Sequence, residues 1–173
     1  PEPITNASFD PVTKKITLTH LGEKGNAVIG AKDSDGTILW SWHIWCTDEP
    51  TSIQYANNAG VMMDRNLGAT SATPGDANAL GFYYQWGRKD PFLSRGSYDS
   101  TSDAATNITW PTWVTSDATM GTIEYAIQHP TTFIKYNTNN NDWFYGTRSL
   151  CRWNNAKTIY DPCPPGWKVP DGG

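Results

Sequence analysis

A short polar turn, Asp33-Ser34-Asp35-Gly36, separates two segments that alternate in the manner of β-strands. Its residue types tolerate the backbone conformations that tight turns need, so the sequence predicts a β-hairpin joining residues 26–32 to residues 37–45. The second arm carries large side chains on both faces: Trp40, Trp42 and Ile44 alternate with Leu39, Ser41, His43 and Trp45. We therefore expect this strand to be covered on both sides.

Shorter patterns predict further strands over residues 16–19, 61–67 and 132–136. Residues 93–118 are polar and predict a long surface excursion. Asp76 is suited to cap a helix over residues 77–86, although Gly81 weakens the helical pattern. A second helix is predicted over residues 121–129, because apolar residues share one face there and Pro130 ends the segment.

Composition limits both the fold and the partners. Hydrophobic residues make up 38% of the chain and aromatic residues 13%, and a large ring buries roughly 150–250 Å². A small number of aromatic side chains is therefore enough to build a core. We expect a single α+β domain whose N-terminal part is rich in β-hairpins. The net charge of −4, without any Lys/Arg cluster, argues against a nucleic-acid partner. Since no apolar run approaches the ~20 residues of a membrane span, this fragment is not expected to insert into a membrane.

Ordered stretches of the chain resemble a known family of bacterial surface domains. They are residues 25–29 (GNAVI), 38–45 (ILWSWHIW), 63–70 (MDRNLGAT), 84–92 (YQWGRKDPF) and 160–170 (YDPCPPGWKVP). In this order they resemble the C-terminal domain of Bacteroidetes fimbrillin-like surface proteins and are similar to the Fibrobacter succinogenes major paralogous domain. The resemblance covers residues 25–173 and makes residues 1–24 a lead-in segment or the end of a preceding domain.

The resemblance implies a fold, a location and a kind of partner. The last stretch also looks like part of the C-type-lectin-like and formylglycine-generating-enzyme folds, so we expect a C-type-lectin-like α+β domain truncated at its C-terminal end. Members of the family are surface-exposed and often lipid-anchored proteins of pili or outer-membrane adhesins. The implied location is the cell surface of a Gram-negative bacterium, and the implied partner is a glycan or a host or pilus protein. The family brings no catalytic residues to carry over.

Aromatic and amide side chains near predicted loops suggest carbohydrate binding, because sugars present apolar C–H faces to rings and hydroxyls to amides and carboxylates. The candidate ligand-binding residues are Trp110, Trp113, Asn139, Asn141, Asp142, Trp143 and Tyr145. The alternative is that these rings fill a small aromatic core. Calcium could use the oxygens of residues 137–142, but the run lacks the EF-hand spacing, so we expect no cofactor and no metal site.

Several charged and aromatic residues of the family-like stretches are predicted to be structural: Trp42, Asp64, Arg65, Asn66, Trp86, Arg88, Asp90 and Trp167. The run Asp64-Arg65-Asn66 has two interpretations. It is either a polar cluster at a ligand cleft or a buried network that fixes the fold, and the flanking apolar residues favour the second. His43 is interpreted as a core or rim histidine, since the sequence places no nucleophile or carboxylate beside it.

The chain has three cysteines, Cys46, Cys151 and Cys163. An extracellular protein would pair two of them. Because Cys46 and Cys163 lie in family-like stretches, the resemblance favours a disulfide between them and a free Cys151. A Cys151–Cys163 disulfide would close a shorter loop and is the alternative, and three free thiols are a further one.

The sequence carries no Gly-x-Ser-x-Gly, His-Glu-x-x-His or phosphate-binding glycine motif. We therefore expect a non-enzymatic adhesion module that recognises a glycan or a protein. One alternative is a purely structural pilus or lipoprotein domain without a soluble ligand. The other is an enzyme related to the formylglycine-generating fold, since the seventeen acidic residues are numerous enough to supply a carboxylate pair.

Overall fold

The structure, a computed structural model, describes residues 3–58, 60–93, 112–136, 141–147 and 152–170. These residues form short strands and one α-helix: β1 (Ile4–Asp10), β2 (Lys15–His20), β3 (Gly25–Lys32), β4 (Ile38–Cys46), β5 (Ser52–Gln54), β6 (Val61–Met63), β7 (Phe82–Tyr84), β8 (Pro91–Leu93), β9 (Trp113–Thr115), α1 (Ile123–Gln128) and β10 (Phe133–Lys135). The described part of the chain is therefore β-rich with one short helix and belongs broadly to the α+β class.

The strands pair two at a time into small sheets. Strands β1 and β2 are antiparallel, as are β5 and β6, while β3 pairs with β4 and β7 with β8. Strands β9 and β10 are parallel, and α1 lies between them in the chain. A parallel pair needs such a crossover connection, whereas the neighbouring strands of the other sheets need only a loop.

The predicted hairpin is confirmed as β3 and β4. In its turn, the Asp33 carboxylate accepts hydrogen bonds from the backbone N–H groups of Asp35 and Thr37, at 3.0 and 2.9 Å. Gly36 has a φ of 85°, which glycine adopts without strain. The expectation that β4 is covered on both sides is wrong in part, since Leu39 is 57% and Trp42 37% exposed. The fully buried side chain of this strand is Ser41, which hydrogen-bonds an aspartate.

One predicted helix is confirmed and the other is wrong. Helix α1 begins after Thr122, whose hydroxyl accepts a hydrogen bond from the Tyr125 N–H, and it ends before Pro130. Residues 77–86 form only a 3₁₀ turn, Ala77–Ala79, followed by strand β7. Asp76 caps that turn as predicted. Gly81 stops the helix, because its φ of 68° lies in the left-handed region.

The proline-rich segment near the C-terminal end is organised by one carboxylate. Asp161 accepts hydrogen bonds from the backbone N–H groups of Cys163 and Val169, at 2.8 and 2.9 Å, and from the Lys157 ammonium at 2.9 Å. These bonds and the positive charge of Lys157 hold the pKa of Asp161 below its usual value, against the effect of burial. The backbone of this segment is thus shaped by a buried ionised side chain in the absence of regular secondary structure.

The chain divides into two compact units. The first consists of Pro1–Ile29 and Ile44–Phe82, and the second of Gly30–His43 and Tyr83–Gly173. The predicted boundary after residue 24 is not among these limits and stays a prediction. The hydrophobic core of the second unit is formed by Ala126, Ile134 and Trp143, with partly buried aliphatic and aromatic residues around it.

Candidate functional site

The first unit contains a cleft built on the hairpin of β5 and β6. Ile53 of β5 lies opposite Met62 of β6, and Tyr55, which follows the strand, lines the same cleft. These three side chains are 41–49% exposed. The hairpin therefore presents an apolar face with an aromatic ring to solvent.

The loop of this hairpin is held in an unusual conformation. Asn57 and Asn58 both have a φ near +60°, and asparagine tolerates that region better than most residues. The Tyr55 N–H donates to the Gly60 carbonyl at 3.0 Å, and the Gln54 side-chain amide donates to the same carbonyl at 3.0 Å. These bonds fix the position at which Tyr55 leaves the strand.

The cleft has a volume of about 280 Å³. Besides the hairpin face, its lining includes the run Asp64-Arg65-Asn66 together with Ser71. This volume lies near the lower end of the range for small-molecule sites, which combine apolar walls with a few placed polar groups. We call this feature the β5–β6 cleft.

Asp64 and Arg65 form a bidentate ion pair in the wall of the β5–β6 cleft. The Arg65 Nε donates to Asp64 Oδ1 at 2.8 Å and its Nη2 to Oδ2 at 3.0 Å, while Nη1 reaches the Thr47 hydroxyl at 3.0 Å. The Thr51 hydroxyl donates to Asp64 at 2.9 Å. The hydrogen bonds from Arg65 lower the pKa of Asp64 to about 2. The two charges cancel, so the pair adds no net charge to the cleft.

Asn66 links the cleft wall to the neighbouring 3₁₀ turn. Its side-chain amide donates to the carbonyls of Ala79 and Leu80, at 3.4 and 3.2 Å. The run Asp64-Arg65-Asn66 thus forms a network that holds the local fold and also lines a cleft, so its two interpretations describe the same residues. The sequence analysis raised a ligand cleft here only as the less favoured interpretation, because strand β5 was not predicted, although Asn57, Asn58 and Gly60 are turn-forming residues.

In the second unit, the predicted structural residue Asp90 lies in a buried polar cluster with Ser41 and Lys89, which we call the Asp90 cluster. The Ser41 hydroxyl and the Lys89 ammonium donate to Asp90 Oδ1, at 2.6 and 2.8 Å. The Lys89 ammonium also lies 4.5 Å from the centre of the Trp40 ring. Burial lowers the pKa of Lys89, and the neighbouring Asp90 opposes that shift. The cluster joins strand β4 to the start of strand β8.

Arg88 is buried and holds the end of α1. Its guanidinium donates to the carbonyls of Thr132, Ala126 and His129, at 2.9, 3.3 and 3.2 Å. Cations at a helix C-terminus satisfy its free carbonyls and interact favourably with the helix dipole. Burial lowers the pKa of Arg88 to about 10, so it remains charged at neutral pH. Arg88 therefore has structural contacts.

The predicted ligand-binding residues separate into buried and exposed ones. Trp143 is 4% exposed, and its indole N–H donates to the Trp86 carbonyl at 2.7 Å. It is a core residue, which corrects its assignment to a ligand-binding surface: the second unit has few aliphatic residues, and this ring fills its interior. Trp113 and Tyr145 are 58% and 46% exposed.

The polar members of the predicted ligand-binding set have local roles where they are described. Asn141 is exposed and has a φ of 52°, and the Asp142 carboxylate accepts a hydrogen bond from the Phe144 N–H at 3.3 Å. Trp110 and Asn139 lie outside the described residues, as do most of the predicted surface excursion and most of the asparagine-rich run. The structure thus leaves Trp113 and Tyr145 as the exposed rings of the predicted set.

The tryptophans predicted to be structural differ in their burial. Trp42 and Trp86 are 37% and 40% exposed, and Trp86 packs edge-on against Trp153 with ring centres 5.0 Å apart. Trp167 is half-buried, and its backbone N–H donates to the Pro164 carbonyl at 3.1 Å. The backbone carbonyl of Trp86 accepts the hydrogen bond from the buried Trp143 indole and so links Trp86 to the core.

His43 lies in a largely buried position beside Tyr84. The Tyr84 hydroxyl and His43 Nδ1 are 3.0 Å apart. Burial lowers the pKa of His43 to about 4, against an opposing effect of Asp90, and burial also raises the pKa of Tyr84. At neutral pH both groups are therefore uncharged, and the tyrosine hydroxyl can donate to the imidazole.

The predicted Cys46–Cys163 disulfide is wrong, since both residues are free cysteines. A disulfide needs Cα atoms about 4.4–6.8 Å apart, a condition that the position of a cysteine in a motif does not address. Burial and the nearby Asp161 raise the pKa of Cys163 to about 12, so its thiol is protonated and a poor nucleophile. Cys151 lies outside the described residues.

In the part of the chain that the structure describes, no group of three or more His, Cys, Asp or Glu side chains could hold a metal ion. In that same part, no helix has the length and apolar character required to cross a membrane. Comparisons of the chain with protein-family models, with curated proteins and with solved structures give no match. The resemblance to fimbrillin-like C-terminal domains therefore rests on the quoted stretches alone.

Proposed function

We propose that this chain is a non-catalytic adhesion module of a bacterial cell surface, and that it recognises a saccharide through the β5–β6 cleft. The observation that carries the proposal is the composition of this cleft. The exposed ring of Tyr55 and the neighbouring Ile53 and Met62 offer a surface for the apolar face of a sugar. The amide oxygen of Asn66 offers an acceptor for a sugar hydroxyl.

The polar groups of the cleft favour binding over catalysis. A glycosidase of the usual kind needs two carboxylates on either side of the scissile bond. Asp64 is the one acidic residue among the described residues that line the cleft. It is ion-paired with Arg65, and its pKa of about 2 keeps it ionised. A carboxylate in this state is a poor general acid at neutral pH.

The location and the finer fold belong to the same proposal. The quoted family-like stretches support a surface protein of a Gram-negative bacterium, associated with a pilus or with the outer membrane. They also support a C-type-lectin-like domain. A purely structural pilus or lipoprotein domain is the second candidate, and the burial of Trp143 favours it, because this ring is not available to a ligand.

Binding to a broad glycan array tests the proposal, with a tyrosine outside the cleft as the matched control. Wild-type chain should bind a subset of glycans saturably. Tyr55→Ala should weaken that binding about tenfold, equivalent to about 1.4 kcal/mol. Tyr83→Ala should leave it unchanged, since Tyr83 is 59% exposed and does not line the cleft. Absence of binding by wild-type chain that circular dichroism shows to be folded would favour the structural candidate.

A further inference from the structure

We propose that Trp113 and Lys135 form a second saccharide site, selective for sugars that carry a carboxylate. This site lies in the second unit and shares no residue with the β5–β6 cleft. It rests on the proposed function only in taking the ligand to be a saccharide. We call it the Trp113–Lys135 surface.

The parallel ladder of β9 and β10 places the two side chains on one face. Val114 pairs with Ile134, and Ile134 is fully buried in the core that Val114 also contacts. Trp113, Thr115, Phe133 and Lys135 therefore lie on the opposite face, because alternate residues of a strand point to opposite sides, and Phe133 packs edge-on against Phe92. Thr115 pairs directly with Lys135 and is exposed. The surface thus combines an indole ring, a hydroxyl and an ammonium.

The indole ring of Trp113 is available to a ligand. Its residue is 58% exposed, and the Lys135 ammonium lies over one face of the ring, 3.3 Å from its centre, so a sugar would stack on the other face. An exposed indole is a flat apolar surface, which suits the C–H face of a pyranose ring. The ammonium next to it can donate up to three hydrogen bonds.

The charge of Lys135 points to the acidic class of sugar. The ion pairs formed among the described residues involve Lys24, Arg65, Lys89 and Lys157, each with an aspartate, and Lys135 is not among them. Lys89 also contacts a tryptophan ring, but there Asp90 completes the arrangement. At the Trp113–Lys135 surface, the carboxylate of a ligand would pair with Lys135 as Asp90 pairs with Lys89. A uronic acid carries such a group on a pyranose ring.

Two methyl glycosides that differ only at C6 provide the test. Methyl glucuronide carries a carboxylate where methyl glucoside carries a hydroxymethyl group. Titrations of the whole chain, followed by the NMR signals of the indole N–H groups, should show the glucuronide binding at least fivefold more tightly than the glucoside. Raising the salt concentration should reduce this preference, because the ion pair is exposed. Equal affinity for the two glycosides, or no binding of either, would overturn the proposal.

Variants assign the preference to its residues. Lys135→Gln should abolish the preference for the glucuronide and Lys135→Arg should retain it, while Trp113→Ala should abolish binding of both glycosides. Tyr55→Ala, in the β5–β6 cleft, should leave the preference intact, so that failure of one site is distinguishable from failure of the other. Loss of glucuronide binding in Tyr55→Ala would place the ligand in the cleft. Binding of polyglutamate as tight as that of the glucuronide would show that the surface recognises acidic chains in general, against the assignment to sugars.

Discussion

Among the described residues of the second unit, two lysine–tryptophan contacts differ in burial and in charge compensation. Lys89 lies 4.5 Å from the Trp40 ring and is hydrogen-bonded to Asp90 at 2.8 Å, with both charged side chains about nine-tenths or more buried. Lys135 lies 3.3 Å from the Trp113 ring, which is exposed. The same pair of residue types is thus completed by a carboxylate in one place and left open to solvent in the other.

Burial decides the role of each of these two contacts. A desolvated ammonium requires a partner, because an uncompensated buried charge costs several kcal/mol. The Asp90 cluster meets this requirement within the protein and therefore stabilises the fold. An exposed cation–π contact contributes only about 0.5–1 kcal/mol. The Trp113–Lys135 surface contributes little to folding and remains available for recognition.

Of the changes considered, replacing Asp90 should lower the free energy of unfolding most. Asp90→Ala would leave Lys89 buried without its carboxylate, and we expect the free energy of unfolding to fall by about 3–5 kcal/mol. The control is Asp48→Ala, which removes the partner of Lys24 in an ion pair whose side chains are 49% and 65% exposed. That substitution should cost much less, because solvent-exposed ion pairs contribute little to stability. Urea denaturation measures both, and similar losses would contradict the structural role of the Asp90 cluster.

Local sequence signals predicted the elements that local interactions form. The β3–β4 hairpin follows from its turn residues, and helix α1 follows from its shared apolar face and the stop at Pro130, while the cap at Thr122 was not predicted. The prediction of a helix over residues 77–86 is wrong because Gly81 adopts a left-handed conformation that a helical pattern does not reveal. Short-range periodicity indicates where a strand or helix can form, but it does not show which backbone conformation a single glycine adopts.

The candidate sites depend on strand register and side-chain packing, which local sequence patterns do not determine, and for that reason they were only partly predictable. The face of the β5–β6 cleft depends on the register that places Ile53 opposite Met62. Trp113 and Trp143 have the same side chain and lie in similar polar sequence, yet one is exposed and the other is buried. Composition identifies such rings as candidates, and only the packing of the unit decides which of them can meet a ligand.

Acidification should lower the free energy of unfolding through His43, which is largely buried near Asp90, by an amount between those of the other predictions. The folded-state pKa of about 4 lies below the ordinary value of 6.5, so the unfolded chain binds a proton between these values and the folded chain does not. The stability is fully present above pH 6.5 and declines as the pH falls toward 4. Between pH 7 and pH 5 we expect a loss of about 2 kcal/mol.

Urea denaturation at a series of pH values measures this loss, and His43→Gln supplies the control. The variant should lack the decline between pH 7 and pH 5 whatever its absolute stability, because its side chain does not titrate. His20 and His129 are present in both proteins, so the two proteins differ only at residue 43. An unchanged slope in the variant would show that His43 does not titrate as its burial beside Tyr84 requires.

Substitutions on the exposed side should have the smallest effect on folding. Trp113→Ala and Lys135→Met each remove the contact between the two side chains, and we expect each to lower the free energy of unfolding by at most about 1 kcal/mol. The double variant should cost less than the sum of the two single variants, because the shared contact can be lost only once. A cost of 3 kcal/mol or more, within the range of a buried aromatic residue, would mean that Trp113 supports the fold. The two lysine–tryptophan contacts would then differ in charge compensation alone, and the case for an open recognition surface on β9 and β10 would lose its basis.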